Sequence, residues 1–189
     1  VGGFSKGGGG AQLVPSMDSS IKAVVALYPW LDNPTASDLN HSVPVIIVSG
    51  QLDAIAPVGI HANVHYNLTP NTTEKLKYEI AFASHDPVSG PYAGAEEVGV
   101  RVLSWLQTFL LGDSCYCPVA ILDATTASSY VTNVDCSTIN VSTSKVESIS
   151  FKKILRITDI LGRDRNETSN VLLFYTYDDG TVEKKIVLE

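Results

Sequence analysis

Apolar residues in the first half of the chain occur in short runs that predict buried β-strands. Two nearly continuous runs cover residues 22–30 and 43–50, and residues 75–83 alternate between polar and apolar positions. Continuous apolar runs are typical of parallel strands covered on both faces, whereas alternation is typical of a strand nearer to a sheet edge. We therefore expect three strands of one sheet, with the third nearer its edge.

Helical patterns lie between and after these runs. Residues 8–17 predict a short helix that Pro15 limits or kinks, and residues 58–67 are weakly helical. Residues 92–111 predict the longest helix, and Gly112 follows its end. Its apolar face comprises Val98, Val102, Trp105, Leu106, Phe109 and Leu110. Strands that alternate with helices predict an α/β fold with a parallel sheet, whose sites gather at the carboxyl ends of strands.

Composition and charge limit the class of protein. The 189 residues are 44% hydrophobic and 17% charged, which suits one medium domain with or without a small appendage. The net charge of −7 comes from residues 1–144, whereas residues 145–189 are balanced, so we expect a boundary near residue 140. An acidic chain without a basic cluster argues against nucleic acid as a partner. Its apolar runs are too short to span a membrane.

The segment Gly3-Phe4-Ser5-Lys6-Gly7 has the form G-x-S-x-G, the pattern of a nucleophile elbow. In such an elbow the serine occupies a sharp strand-to-helix turn, and the flanking glycines remove Cβ atoms that would clash. The backbone N–H of Lys6 would then face a developing oxyanion. The same pentapeptide also suits a flexible glycine-rich loop, so the rest of the chain has to decide between the two.

Candidate partners for Ser5 follow the later strands. Asp53 follows the second strand and His85 follows the third. The order Ser, Asp, His is that of α/β-hydrolases, which favours a catalytic triad at one sheet edge. Asp53 could instead be a helix N-cap, and Asp32 and Asp38 are poorer candidates for the acid.

Three other histidines compete with His85 for the role of base. His41 precedes a strand rather than following one. His61 and His65 are one helical turn apart and could bind a metal, but without a third ligand we expect a surface pair. Trp30 ends the first strand, where a substrate-facing aromatic is favoured over a core residue.

Cys115, Cys117 and Cys136 lie close together in the sequence. Their spacing fits neither a zinc site nor a C-x-x-C redox motif, so we expect one disulfide and one spare thiol. A disulfide indicates an oxidising compartment.

Residues 1 to about 136 resemble the bacterial cutinase and polyester-hydrolase family, which includes triacylglycerol lipases and poly(ethylene terephthalate) hydrolases. The resemblance covers the C-terminal half of that family's catalytic domain. It is carried by four segments: Gly3-Phe4-Ser5-Lys6-Gly7-Gly8-Gly9-Gly10, Tyr28-Pro29-Trp30, Gln51-Leu52-Asp53-Ala54-Ile55-Ala56-Pro57 and Ser104-Trp105-Leu106.

The resemblance implies a role for each matched residue. Ser5 matches the nucleophile, Asp53 the triad acid and His85 the base, while the Lys6 amide matches one oxyanion donor. Trp30 and Ile55 match the aromatic and aliphatic walls of the family's acyl subsite. Cys117 and Cys136 match its C-terminal disulfide. Cys115 is then the spare thiol.

Departures from the family pattern lead to further expectations. Phe4 and Lys6 stand where the family usually has His and Met. Gln51 and Ala81 stand where some members place calcium-binding carboxylates, so we expect no metal there and no cofactor. The strands before the elbow are missing, so we expect that the chain is cut from a longer precursor. We also expect this shortened chain, as it stands, to be weakly active or inactive.

The C-terminal part has a different pattern. Residues 120–150 are rich in Thr, Ser, Asn and Val, which predicts the end of the hydrolase at 136 and a linker over 137–150. Residues 151–189 then predict a small all-β module. Its strands would cover 154–163, 172–177 and 181–188, with Asp179-Gly180 as a hairpin turn.

Residues 151–189 resemble the C-terminal sorting domain of cargo proteins of the type IX secretion system. The resemblance is carried by Asp159-Ile160-Leu161-Gly162-Arg163, Tyr177-Asp178-Asp179-Gly180 and Lys184-Lys185-Ile186-Val187. It implies the secretion machinery as a partner and an extracellular location. A small β appendage without such a role is the alternative.

Together these patterns predict a secreted serine ester hydrolase of the cutinase, lipase or polyesterase kind. Its substrates would be lipid, cutin-like or synthetic polyester. A peptidase or dienelactone-type hydrolase on the same fold is one alternative, since fold does not fix substrate. A catalytically inert surface protein is the other.

Overall fold

The computed structural model describes residues 1–85, 95–139, 153–166 and 172–186. The chain divides into two compact units, Val1–Ser144 and Lys145–Glu189.

The first unit has a five-stranded mixed sheet in the order β1-β2-β3-β4-β5. Strands β1 to β4 are parallel, and β5 pairs antiparallel with β4. The strands are β1 Gly2–Phe4, β2 Val24–Leu27, β3 Val45–Gly50, β4 Lys75–Ile80 and β5 Ala127–Thr132. The helices are α1 Lys6–Leu13, α2 Ala62–Leu68, α3 Ala95–Phe109 and α4 Cys117–Ile121, with 3-10 turns at Val14–Ser16 and Ser114–Tyr116.

Apolar side chains cover both faces of the sheet, and this explains the continuous apolar runs. All six residues of β3 are buried. Ile46 and Val48 pack with the α3 residue Trp105 on one face, whereas Val45 and Ile47 pack with the α2 residue Ala62 on the other. The parallel order brings the carboxyl ends of β1, β3 and β4 to the same side of the sheet.

The third predicted strand is β4, which is second from one edge of the sheet because β5 pairs with its outer side. Lys75 and Lys77, two of the three polar residues of its alternating pattern, are buried. The Lys75 ammonium donates to the carbonyl oxygens of Tyr66 at 2.8 Å and Thr69 at 2.6 Å, at the end of α2. The Lys77 ammonium donates to Asn63 at 2.6 Å. Lysine stems can thus occupy a covered face while their heads satisfy helix-terminal carbonyls.

The helices begin and end close to their predicted positions. The helix predicted over 8–17 is α1, and it is followed by the 3-10 turn that contains Pro15. The segment predicted over 58–67 is helical from Ala62 to Leu68. Helix α3 ends at Phe109, and Gly112 follows in the left-handed conformation (φ 75°). Leu110 was wrongly assigned to its apolar face and is 51% exposed, because the helix ends before it.

Helix α4 and strand β5 were not predicted from the sequence. The disulfide between Cys117, at the start of α4, and Cys136 joins this helix to the segment after β5. Cys115 is an exposed free thiol. Most of the predicted linker, residues 140–150, lies outside the described residues.

The described part of the second unit forms a three-stranded antiparallel sheet in the order β6-β7-β8. The strands are β6 Ile154–Thr158, β7 Leu172–Tyr177 and β8 Val182–Ile186, and Gly180 (φ 80°) lies in the β7–β8 turn. The strand predicted over 154–163 ends at Thr158. Asp159 ends it, because its carboxylate accepts the amides of Leu161 and Arg163 in a turn.

Candidate active site

Ser5 occupies the sharp turn between β1 and α1. Its backbone is left-handed, with φ 55° and ψ −122°, a conformation that non-glycine residues rarely adopt. Its carbonyl oxygen accepts hydrogen bonds from Gly9 and Trp30, at 3.0 and 2.9 Å. A Cβ atom at Gly3 would overlap the carbonyl of Gly7, whereas one at Gly7 would meet nothing within 4 Å. Of the two glycines expected to be needed for the turn, only the first is sterically required.

Two further glycines let α1 approach the loop after β2, and the sequence analysis did not identify this role. A Cβ atom at Gly9 would overlap the carbonyl oxygen of Trp30, and one at Gly8 would lie 2.8 Å from the carbonyl oxygen of Leu27. Real Cβ atoms do not approach backbone that closely. The glycines therefore fix Ser5 and Trp30 beside each other.

The structure brings Ser5, Asp53 and His85 together at the carboxyl side of the sheet. His85 Nε2 is 2.9 Å from Ser5 Oγ, and His85 Nδ1 is 2.7 Å from Asp53 Oδ2. The Asp53 side chain is fully buried, and that of His85 is 14% exposed. The other Asp53 oxygen accepts the amides of Ile55 at 2.9 Å and Ala56 at 2.7 Å, so this carboxylate is held in a turn as well as against the imidazole.

These contacts define what the imidazole can do. An ionised carboxylate only accepts hydrogen bonds, so the proton between Asp53 and His85 belongs to Nδ1. Nε2 then carries a lone pair and accepts from the Ser5 hydroxyl. A buried acid, an imidazole and a hydroxyl arranged in this order can deprotonate the hydroxyl as it attacks an electrophile.

Two aromatic rings pack around His85, and the sequence analysis assigned neither of them to it. The Phe4 ring is 5.0 Å from the imidazole between centroids, and the Tyr28 ring meets it edge-on at 6.1 Å. Phe4 directly precedes Ser5, and Tyr28 has a left-handed backbone (φ 47°) at the end of β2. Positive φ at a bulky residue cannot be read from sequence alone.

A pocket of about 640 Å³ lies beside the end of β2. Trp30 and Ile55, the two predicted substrate-binding residues, both line it, together with Ile60, His61 and Val64. Ile55 is 61% exposed, so the pocket opens to solvent.

Lys6 is the first residue of α1, and its ammonium lies over the Trp30 ring at 5.2 Å from the centroid. Its N–H group has no acceptor one turn earlier within the helix. The residue therefore adjoins Ser5 through its backbone, and its side chain contacts Trp30, which lines the pocket.

The poorer candidates for the acid lie elsewhere. Asp32 accepts a hydrogen bond from the Asn33 side chain at 2.9 Å. Asp38 accepts the hydroxyl and the amide of Thr35, both at 2.7 Å, and these hydrogen bonds lower its pKa. Of the three aspartates considered, Asp53 is the one that contacts His85.

The expectation of a surface pair at His61 and His65 was wrong, since both residues are buried. The His61 ring packs 5.7 Å from the Trp30 ring and 6.1 Å from that of His65. Gln12 lies 3.0 Å from Nδ1 of His65. Burial, followed by the charge of His61, lowers the pKa of His65 to about 4. His41 is also buried, and burial lowers its pKa too.

Within the described ranges, no three His, Cys, Asp or Glu side chains are grouped as metal ligands would be. The Gln51 side chain, at a position where calcium ligands were considered, accepts the amide of Phe82 at 3.0 Å. None of the helices in the described part of the chain is both long and apolar enough to cross a membrane.

A mixed α/β sheet with this trio of side chains at its carboxyl side is consistent with part of an α/β-hydrolase fold. Sequence comparison identifies the family within that class. The chain belongs to the PETase family of PET hydrolase-like proteins, whose profile matches residues 1–139.

Several curated proteins are similar to the chain. Over 114 residues it is 34% identical to cutinase est1 of Thermobifida alba, covering 60% of this chain and 37% of that protein. It is equally identical to cutinase 1 of Thermobifida cellulosilytica, of which the match covers 42%. It is 32% identical over 121 residues to bis(hydroxyethyl) terephthalate hydrolase of Streptomyces coelicolor, covering 62% of this chain and 37% of that protein. The matches thus span well under half the length of each relative.

Proposed function

We propose that the protein is a serine carboxylic-ester hydrolase in which Ser5 is the nucleophile, His85 the general base and Asp53 the orienting acid. The observation that carries the proposal is the continuous hydrogen-bonded chain from the buried Asp53 carboxylate through His85 to the Ser5 hydroxyl. The left-handed backbone of Ser5 supports it, because strain of this kind is concentrated at functional sites.

The mechanism has two halves. His85 Nε2 takes the Ser5 proton as Oγ attacks the ester carbonyl, and the tetrahedral oxyanion accepts a hydrogen bond from the Lys6 amide. The intermediate collapses, the C–O bond to the alcohol breaks, and the imidazolium protonates the departing alcohol. Water, deprotonated by His85, then attacks the acyl-enzyme and releases the acid and free Ser5.

Apolar acyl groups suit the pocket that Trp30 and Ile55 line. Aromatic and aliphatic walls bind the acyl part of an ester mainly by excluding water from it. The names of the relatives, cutinases and a bis(hydroxyethyl) terephthalate hydrolase, favour esters of lipid, cutin-like or synthetic polyester type as substrates.

Active-site labelling tests the proposal. A fluorophosphonate probe should modify Ser5, as mapped by peptide mass spectrometry, and Ser5→Ala should abolish both the label and the hydrolysis of p-nitrophenyl esters. Loss of a triad member should lower kcat by about 10³-fold or more, because the triad acts as a unit. Peptide anilides assayed beside the esters separate esterase from peptidase. A folded protein that carries no label at Ser5 would refute the assignment.

We also propose that the second unit is a sorting signal for type IX secretion and that the protein is extracellular. The support is the resemblance of residues 159–163, 177–180 and 184–187 to such signals, together with the Cys117–Cys136 disulfide, since disulfides persist in oxidising compartments. The protein should reach the medium or cell surface of a host with this secretion system. A variant lacking residues 145–189 should stay in the periplasm, and equal export of both proteins would contradict the proposal.

A further inference from the structure

Lys6 places a positive charge beside Trp30, one of the residues that line the proposed acyl pocket. Its ammonium lies 5.2 Å from the centroid of the Trp30 ring, which can hold it by a cation–π interaction. Among the described residues, no carboxylate forms an ion pair with Lys6. The charge is therefore available to a ligand that enters beside Trp30.

The position of this charge is fixed relative to the nucleophile. Lys6 follows Ser5 directly, and the Trp30 amide donates to the Ser5 carbonyl oxygen at 2.9 Å. The close approach of Gly9 to the backbone of Trp30 allows no gap between helix and loop. An acyl chain attached to Ser5 and lying against Trp30 thus passes near the ammonium.

From this arrangement we infer that Lys6 is a specificity determinant for esters whose acyl part ends in a carboxylate, the half-esters of dicarboxylic acids. This inference rests on the proposed function. Half-esters form when one bond of a dicarboxylic diester is hydrolysed, because that cleavage leaves a carboxylate on the acyl fragment. A cation beside the nucleophile favours the second cleavage, so a single site can take a diester to the free diacid.

Asp32 brings a negative charge to the pocket that Trp30 lines. It lines the pocket with Trp30, is exposed, and contacts the Asn33 amide rather than a cation. It should repel an anionic acyl chain. Lys6 and Asp32 therefore give variants with effects of opposite sign.

The test compares two esters with six-carbon acyl chains, p-nitrophenyl hexanoate and mono-p-nitrophenyl adipate. The measured quantity is the ratio of kcat/KM for the anionic ester to that for the neutral one. Lys6→Met should lower this ratio about three- to fivefold, as expected for a partly exposed charge pair. Lys6→Arg should keep it, and Asp32→Asn should raise it. High salt should shrink the wild-type preference.

Lys22→Met is the matched control, because Lys22 precedes β2 at the opposite end of the strands and should leave the ratio unchanged. An unchanged ratio in Lys6→Met would overturn the inference. Binding provides a readout without turnover when both proteins also carry Ser5→Ala: monomethyl adipate should alter the tryptophan fluorescence, to which Trp30 contributes, with a Kd about three- to fivefold weaker when Lys6→Met is added. Equal Kd values would overturn the inference even if the wild type hydrolysed no ester. Tighter binding to the protein that keeps Lys6 than to the Lys6→Met variant, combined with no ester hydrolysis by the wild type, would refute only the proposed function.

Discussion

His65 should make the stability of the first unit fall in mildly acidic solution. The side chain is fully buried beneath α1, where Gln12 contacts its Nδ1 atom at 3.0 Å. Burial disfavours the charged imidazolium and lowers the pKa from 6.5 to about 4. The folded protein therefore resists binding a proton that the unfolded chain accepts readily.

The sign and size follow from proton linkage. Because the folded pKa is depressed, the contribution of neutral His65 is present in full above about pH 6.5. It is lost as the pH falls from there to about 4, below which the loss stops. A pKa difference of about 2.5, at roughly 1.4 kcal/mol for each pH unit, corresponds to about 3.5 kcal/mol in all, of which about 3 kcal/mol is lost by pH 4.

Urea unfolding at pH values between 7.5 and 4 measures this loss. Trp30 and Trp105, the two tryptophans of the chain, both lie in the first unit, so their fluorescence reports on that unit. The matched variant is His65→Gln, which cannot titrate, while every other group titrates in both proteins. The wild type should lose about 3 kcal/mol more than the variant, a urea midpoint shift of roughly 1–2 M. Equal losses in the two proteins would refute the reasoning.

Two further changes test the packing of the first unit. Gly9→Ala should lower the free energy of unfolding by more than 2 kcal/mol, because the added methyl group would overlap a backbone carbonyl. Gly7→Ala should instead raise the free energy of unfolding by about 0.5–1 kcal/mol, because that helical position is open. Urea titration of both compares them directly, and equal destabilisation would contradict the assigned role of Gly9. Removing the disulfide by a double Cys117→Ser and Cys136→Ser substitution should cost about 3 kcal/mol, since it closes a loop with a separation of 19 residues. A thermal melt with an unchanged midpoint would contradict this.

The trio at the candidate site could be predicted because each member follows a local signal. Ser5 lies in a glycine pattern. Asp53 follows a strand that a continuous apolar run indicates, and His85 follows a strand that an alternating pattern indicates. Parallel order then brings the strand ends together without any knowledge of long-range contacts. The rings of Phe4 and Tyr28 around His85 had no comparable signal, since their placement depends on the left-handed backbone of Ser5, which follows Phe4, and of Tyr28 itself.

The burial of polar side chains had no signal in the sequence, because tertiary contacts determine it. Lys75 and Lys77 are polar by type but buried, because α2 offers oxygen acceptors for their ammonium groups. His61 and His65 were taken for a surface pair, yet Trp30 covers the first and Gln12 contacts the second. Strand β5 is partly exposed and rich in hydroxyl residues, so its pairing with β4 had no apolar pattern to indicate it.

Four consecutive glycines make α1 a helix that the isolated chain would not form. Relative to alanine they disfavour helix by about 4 kcal/mol in total. The helix gains its order only by docking against the backbone after β2, at contacts that side chains would block. We therefore expect the sharp turn at Ser5, directly before this helix, to form only together with the sheet. In a nascent or misassembled chain the Ser5 hydroxyl would therefore lack its position beside His85.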